Sequence, residues 1–312
     1  MELDSHDGRR PSAPRTITPL NGIPAVNVEG SLRFPYTRAD LHLLVKSALD
    51  EDGAFNDLTT LATVVSDRHA RGRLVSRAAG VVCGVPLAIE AFYTLDPKVT
   101  IRVDREDGSR LTPGSSVLYL SGHARSLLSA ERVALNFMQR LSGVASLTAK
   151  YVEVVAGTKA KILDTRKTTP GWRLLEKYAV RAGGGTNYRL NLSDAVLIKD
   201  NHIAAVDGDI HVAVRRARDL APKGTKVEVE CDRPEQVATA LAAGADIIML
   251  DNMTPAQMRE CVVMVAGRAI VEASGGVKLD AVRAIAETGV DWISVGALTH
   301  SAPALDLALD FE

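Results

Sequence analysis

Hydrophobic positions along this chain follow two regimes. Up to about residue 128, short apolar runs are divided by glycine and proline. Arg71–Ser76, Gly80–Val85, Val99–Val103 and Ser116–Ser121 read as strands, with breaks at Gly108, Pro113-Gly114 and Gly122. Tyr36–Asp50 places Leu41, Leu44, Val45 and Ala48 on one helical face. Pro86–Leu95 predicts a second helix, with Pro86 in its first turn. Residues 32–128 thus read as a small α+β domain. Ser129, a candidate N-cap, opens a long helical segment that Gly143 interrupts and that resumes to about Ala156.

Beyond that point the pattern changes to strand–helix alternation. Six short apolar runs read as strands: Lys161–Leu163, Ala195–Ile198, Lys226–Val229, Asp246–Leu250, Ala269–Ala273 and Asp291–Val295. The helices between them are predicted at Trp172–Arg181, Ala204–Leu220, Pro234–Ala243, Pro255–Val265 and Leu279–Glu287. Such alternation demands parallel pairing with right-handed crossovers. An open doubly wound sheet meets the same demand. A TIM-like barrel over 129–300 is preferred because nearly every strand ends in polar residues or glycine, and barrels place their chemistry at those ends. Ala304–Phe311, after Pro303, predicts a short apolar helix, so that 301–312 returns to the first domain.

Composition narrows the picture. An apolar content of 46% supports a full core, and a formal net charge of −1 gives no reason to expect nucleic acid or a membrane surface as partner. No run approaches the ~20 apolar residues of a spanning helix. Residues 1–31 read as a flexible leader without the apolar core of a signal peptide. Cys83, Cys231 and Cys261 are odd in number and far apart, which argues against a disulfide framework or zinc site and for a reducing cytoplasm.

The strand ends carry the candidate chemistry. In Asp164-Thr165-Arg166-Lys167-Thr168-Thr169 a guanidinium adjoins an ammonium, an arrangement that suits a carboxylate beside a phosphate; a solvated basic loop is the plain alternative. Three glycines at 183–185 exceed the needs of a helix cap and let backbone N–H groups approach a ligand, with Arg189 just beyond. Lys199 enters the same mouth; His202 reads equally as a site residue or a structural one. Glu230 and Asp251 end the next two strands, where carboxylates among cations bind sugar hydroxyls, hold Mg²⁺ on a polyphosphate, or merely neutralise their neighbours. Ser274-Gly275-Gly276 and Gly296-Ala297 follow the last two strands, where barrels often bind a phosphate through backbone N–H groups.

At these residues the chain resembles the quinolinate phosphoribosyltransferase family. The resemblance runs from about Leu32 to Phe311 and is strongest in ILDTRKTTPGWRLLEKYAVRAGGGTNYRLNLSDAVLIKDNHI, VEVECD, IIMLDN and EASGG. It implies an N-terminal α/β sandwich, a C-terminal open α/β barrel and a homodimer whose sites are completed across the interface. It implies transfer of phosphoribosyl from phosphoribosyl diphosphate to quinolinate with loss of CO₂, assisted by Mg²⁺. Arg132 then matches the arginine that reaches quinolinate across the dimer, and Arg166 and Arg189 match its own-subunit arginines. Lys167 and Lys199 match lysines near the phosphoribosyl diphosphate and the reacting centre. Glu230 and Asp251 match the residues at its ribose and Mg²⁺. Ser274, Gly275, Gly276, Gly296 and Ala297, with His300 a weaker candidate, match donors around the 5-phosphate. One position departs: Tyr188 stands where the family usually has a histidine on quinolinate, and a phenol carries no positive charge near neutrality. Rival readings are a transferase for another aromatic acid, a silent anion-binding relative and a sugar-phosphate isomerase. The last leaves the arginines unexplained.

Overall fold

The computed structural model describes residues 15–17 and 32–312; the rest of the expected leader lies outside the described residues. In chain order the elements are β1 (Arg15–Ile17), α1 (Arg38–Glu51), α2 (Leu58–Thr63), β2 (His69–Ser76), β3 (Gly80–Val81), α3 (Val85–Leu95), β4 (Thr100–Val103), β5 (Arg110–Leu111), β6 (Ser116–His123) and α4 (Ala124–Val154). Then follow β7 (Lys161–Leu163), α5 (Arg173–Ala182), β8 (Val196–Ile198), α6 (Asp200–Ala204), α7 (Ile210–Leu220), β9 (Val227–Cys231) and α8 (Pro234–Ala242). The chain closes with β10 (Ile247–Asp251), α9 (Pro255–Val265), β11 (Ile270–Ser274), α10 (Val282–Ala286), β12 (Trp292–Ser294), α11 (Ala297–His300) and β13 (Leu307–Phe311).

The first sheet is five-stranded and antiparallel, in the order β1-β4-β6-β2-β13. Its last strand corrects the helix expected at Ala304–Phe311. Leu305, Leu307 and Leu309 recur every second residue with Asp306 and Ala308 between, a strand period, and β13 pairs antiparallel with β2 from Leu307↔Ser76 to Phe311↔Gly72. The chain's end therefore completes the sheet begun near its start.

The second sheet is six-stranded, wholly parallel and ordered β7-β12-β11-β10-β9-β8. From β8 to β12 each strand lies beside its predecessor, so the winding never reverses as it would in a doubly wound sheet. Strands β7 and β8 do not pair, which leaves the barrel open between them. The 183–189 loop enters that gap: Thr186 bridges Leu163, its N–H donating to Ile162 (2.8 Å) while its carbonyl accepts from Asp164 (3.2 Å).

Helix α4 runs uninterrupted for 31 residues and packs against elements of both sheets. Two expectations fall here. Ser129 lies inside the helix, where its hydroxyl donates to Asp57 (3.0 Å), and His123 is the N-cap. Gly143 does not break the helix. It admits the neighbouring chain, since a Cβ at this position would stand 2.0 Å from the Pro303 carbonyl oxygen. Gly143→Ala is expected to lower stability by about 1–3 kcal/mol through overpacking, read as a fall in the urea midpoint at unchanged slope. The helix expected at Ala204–Leu220 starts later, as α7 at Ile210, because Asp207 and Gly208 take φ of 58° and 84°; Ala204 instead ends the short α6.

Candidate active site

Every sequence-predicted candidate except Arg132 lies at or just beyond the C-terminal edge of the parallel sheet, or in the loop filling its gap. Helix α5 organises two of the loops there through three residues at i, i+3 and i+4 spacing, which share a face. The Arg173 guanidinium donates to the Thr168 hydroxyl (3.0 Å), the Leu190 carbonyl (3.2 Å) and the Arg166 carbonyl (3.4 Å). Glu176, fully buried, accepts from the Thr169 N–H (3.0 Å), the Thr169 hydroxyl (2.9 Å) and Arg140 (2.7 Å). Lys177 ion-pairs with Asp164 and donates to the Tyr188 carbonyl (2.5 Å). Asp164 also accepts from the Asn187 amide (2.5 Å) and the Tyr188 N–H (3.0 Å).

The three glycines have a reason other than ligand approach. A Cβ on Gly183 would sit 2.3 Å from the Ala145 carbonyl, and one on Gly185 2.7 Å from both Thr148 and Val180. Two of them are thus fixed by close packing on α4 and α5. Gly184, at φ of 87°, makes the turn.

The framework gathers positive charge. Arg166 is pushed below its usual pKa, first by burial and then by Arg189 and Arg173. Its Nε is buried without a hydrogen-bond partner, and among the described residues neither Arg166 nor Arg189 is ion-paired. Lys167 is exposed, and its backbone carbonyl accepts from the Thr299 hydroxyl (2.6 Å). A Cβ on Gly296 would lie 3.0 Å from the Lys167 side chain and 3.2 Å from His300 Nε2, so the loops after β7 and β12 share one small space. Gly275, at φ of 92°, packs against Asn252, whose Oδ1 would meet a Cβ at 2.3 Å. Ser274, Gly276 and Ala297 complete this rim.

Carboxylates occupy the next sector. Lys199 ion-pairs with Glu230, which is nearly buried. The Lys199 backbone N–H donates to His202 Nδ1 (2.9 Å), so His202 caps α6. Asp251 accepts from the Asn252 amide (2.6 Å). Carboxylate oxygens of Glu230, Asp232 and Asp251 all lie within 4.8 Å of one another. This all-oxygen set fits a hard divalent cation.

Beneath the mouth sits an unexpected pair. Glu228 and Glu272 are wholly buried, and both oxygens of Glu228 lack a conventional partner. Ser294 donates to Glu272 (2.6 Å). Burial holds both carboxyls high, Glu228 at about 7 with the Glu230 charge adding to it, and Glu272 well above its ordinary value with the Glu228 charge adding to it. Tyr188 stacks at a tilt on Trp292 with 5.3 Å between ring centroids, and burial and then Glu228 raise its phenol pKa. Its buried hydroxyl thus feels the floor glutamates as well as Arg189.

Asp232 and Glu272 have no signal in the sequence reading, and Glu228 is passed over there for Glu230, which is nearer the strand end. Glu228 and Glu230 alternate along β9 and share a side, and Asp232, just past its end, continues that parity. Arg132 is exposed on α4 and joins none of these contacts. A separate hollow of about 610 Å³ lies at the N-terminal end of the strands, where Lys159 and Lys226 are neutralised by Asp291 and Asp246. Among the described residues no helix is long and apolar enough to cross a membrane.

Comparison with known proteins covers nearly the whole described chain. Residues 57–142 match the N-terminal domain, and 144–310 the C-terminal domain, of quinolinate phosphoribosyl transferase. A nicotinate-nucleotide pyrophosphorylase [carboxylating] of Mycobacterium leprae is 46% identical over 274 residues, covering 85% of this chain and 95% of that protein. The solved nicotinate-nucleotide pyrophosphorylase of Francisella tularensis superposes with a TM-score of 0.84 at 39% identity, covering 89% and 98%. A Streptococcus pyogenes structure gives 0.84 at 43%, covering 89% and 99%.

Proposed function

The chain belongs to the quinolinate phosphoribosyltransferase family, and we propose that the mouth described above carries out that family's reaction with the residues named here. The protein is a pentosyltransferase of NAD biosynthesis, converting quinolinate and phosphoribosyl diphosphate to nicotinate mononucleotide, CO₂ and diphosphate. The observation that carries the assignment of residues is the Arg166–Arg189 pair. Each disfavours the other's charge, and no carboxylate is ion-paired to either among the described residues, so an anion that joins them relieves the repulsion.

In this reading Arg166 and Arg189 grip the two carboxylates of quinolinate and aim its ring nitrogen at C1 of the sugar. Lys167 and the Ser274–Gly276 and Gly296–Ala297 backbones, with His300 at the edge, hold the phosphates. The nitrogen attacks C1 as diphosphate departs, and positive charge builds on the ribose. Glu230 and Asp251 face that charge. Lys199 must leave Glu230 as substrates enter, which frees it to meet an incoming carboxylate. Bond formation makes the ring a pyridinium, which withdraws electrons from C2; the adjacent carboxylate leaves as CO₂ and C2 takes up a proton. Glu230, Asp251 and Asp232 would hold Mg²⁺, which when bound neutralises diphosphate charge.

Arg132 has no role within its own subunit's mouth. Its exposure on α4 suits a homodimer in which it reaches the neighbouring site. Three free, buried thiols accord with a reducing cytoplasm. The test is turnover of quinolinate against nicotinate with phosphoribosyl diphosphate and Mg²⁺, following CO₂ and diphosphate. Quinolinate is expected to be preferred by about 10²-fold or more, because nicotinate leaves one arginine unpaired. Equal rates, or diphosphate without CO₂, would reject the reading.

A further inference from the structure

Within that functional reading, we infer that Lys177 is a positioning residue for the diacid: through Asp164 it clamps the 184–189 loop so that Arg189 stays opposite Arg166. The clamp is made by four groups. Lys177 reaches the Asp164 carboxylate and the Tyr188 carbonyl; Asp164 takes the Tyr188 N–H and the Asn187 amide; and that amide also donates to the Lys177 carbonyl at 2.8 Å. The side chains of Lys177 and Asp164 are only 4% and 0% exposed.

A buried ion pair is a poor source of stability, since desolvation cancels much of its attraction. Its value here is geometric. The loop's backbone ties are few: the Gly184 and Gly185 N–H groups donate to the Arg181 and Val180 carbonyls of α5, and Thr186 bridges Leu163, all at its near end. It carries Arg189 towards Arg166, whose like charge opposes it. Without substrate, something must hold it against that repulsion, and the clamp ends one residue before Arg189. Glu176, the preceding residue on α5, holds a different loop, the one that bears both Arg166 and Lys167. Adjacent residues of one helix thus govern separate parts of the mouth. Lys177 serves the diacid; Glu176 serves the diacid and the phosphorylated sugar together.

The full-length protein separates these roles by steady-state kinetics. Lys177→Met is expected to raise KM for quinolinate by about 10–100-fold, with KM for phosphoribosyl diphosphate unchanged within about twofold. Glu176→Gln is expected to raise both constants. Should Lys177→Met fail to fold, Asn187→Ala removes the outer part of the clamp and must raise the quinolinate KM alone. Parallel rises in both constants for Lys177→Met or Asn187→Ala, or no rise in a folded variant, would overturn the inference. Wild-type protein run alongside keeps the tests distinct: absence of quinolinate turnover there would refute the functional reading itself.

Discussion

Arg166→Ala is expected to lower kcat/KM for quinolinate by about 10²–10⁴-fold while leaving the substrate-free protein at least as stable as before. The two halves of this result come from one geometry. A charge-assisted hydrogen bond contributes about 1.5–3 kcal/mol, and a guanidinium offers a carboxylate two of them in a planar fork. Losing both gives the stated range. In the free protein, however, Arg166 is a burden. Its Nε is buried without a partner, and Arg189 and Arg173 disfavour its charge. Truncation removes that repulsion at the expense of some packing. Arg166→Lys keeps charge but not the fork, so it should fall between wild type and alanine. Kinetics with quinolinate and thermal melts of the substrate-free variants check both halves. Activity and stability falling together would mean that Arg166 is a structural residue.

How much of this was legible beforehand depends on the kind of information each residue carries. The barrel was readable because its strands are short apolar runs with polar ends, and the β10–α9 unit was bounded closely by Asp251 and Pro255. The C-terminal strand was misread as a helix although Leu307 and Leu309 alternate; a short apolar segment after proline satisfies either period until a pairing partner is known. Gly143 and the 183–185 glycines were misjudged for a related reason. Their meaning lies in Pro303 and Ala145, neighbours that sequence spacing does not supply. At the mouth, charged residues at strand ends announced themselves. Glu176 and Lys177 did not, because a Glu-Lys dipeptide inside a helix looks like an exposed pair, yet here both are buried.

Glu272→Gln is expected to stabilise the substrate-free protein by about 2 kcal/mol at pH 8 and by almost nothing at pH 5. In the native state Glu228 is raised to about 7, chiefly by burial, and Glu272 is raised further by burial and by Glu228. The unfolded chain has both near the ordinary glutamate value, so above it the folded state binds more protons. Wild-type stability must therefore fall as pH rises from about 4.5 through 7. For Glu228 alone the full shift corresponds to about 3 kcal/mol, chiefly burial with a part from the Glu230 charge. Glutamine at 272 cannot ionise. Its carbonyl oxygen still accepts from Ser294, and its new N–H₂ group faces the unpartnered Glu228 oxygens. The group that burial and the Glu228 charge keep from ionising is removed, and the side chain at 272 still offers Glu228 a donor. Urea titrations of wild type and variant at pH 5 and pH 8 read the difference directly. A constant offset at both pH values would show that repacking, and not charge, controls the barrel floor. If the expected crossover is seen, the floor is a place where the protein gives up stability at neutral pH to keep a negative charge under Arg189, whose field both glutamates feel.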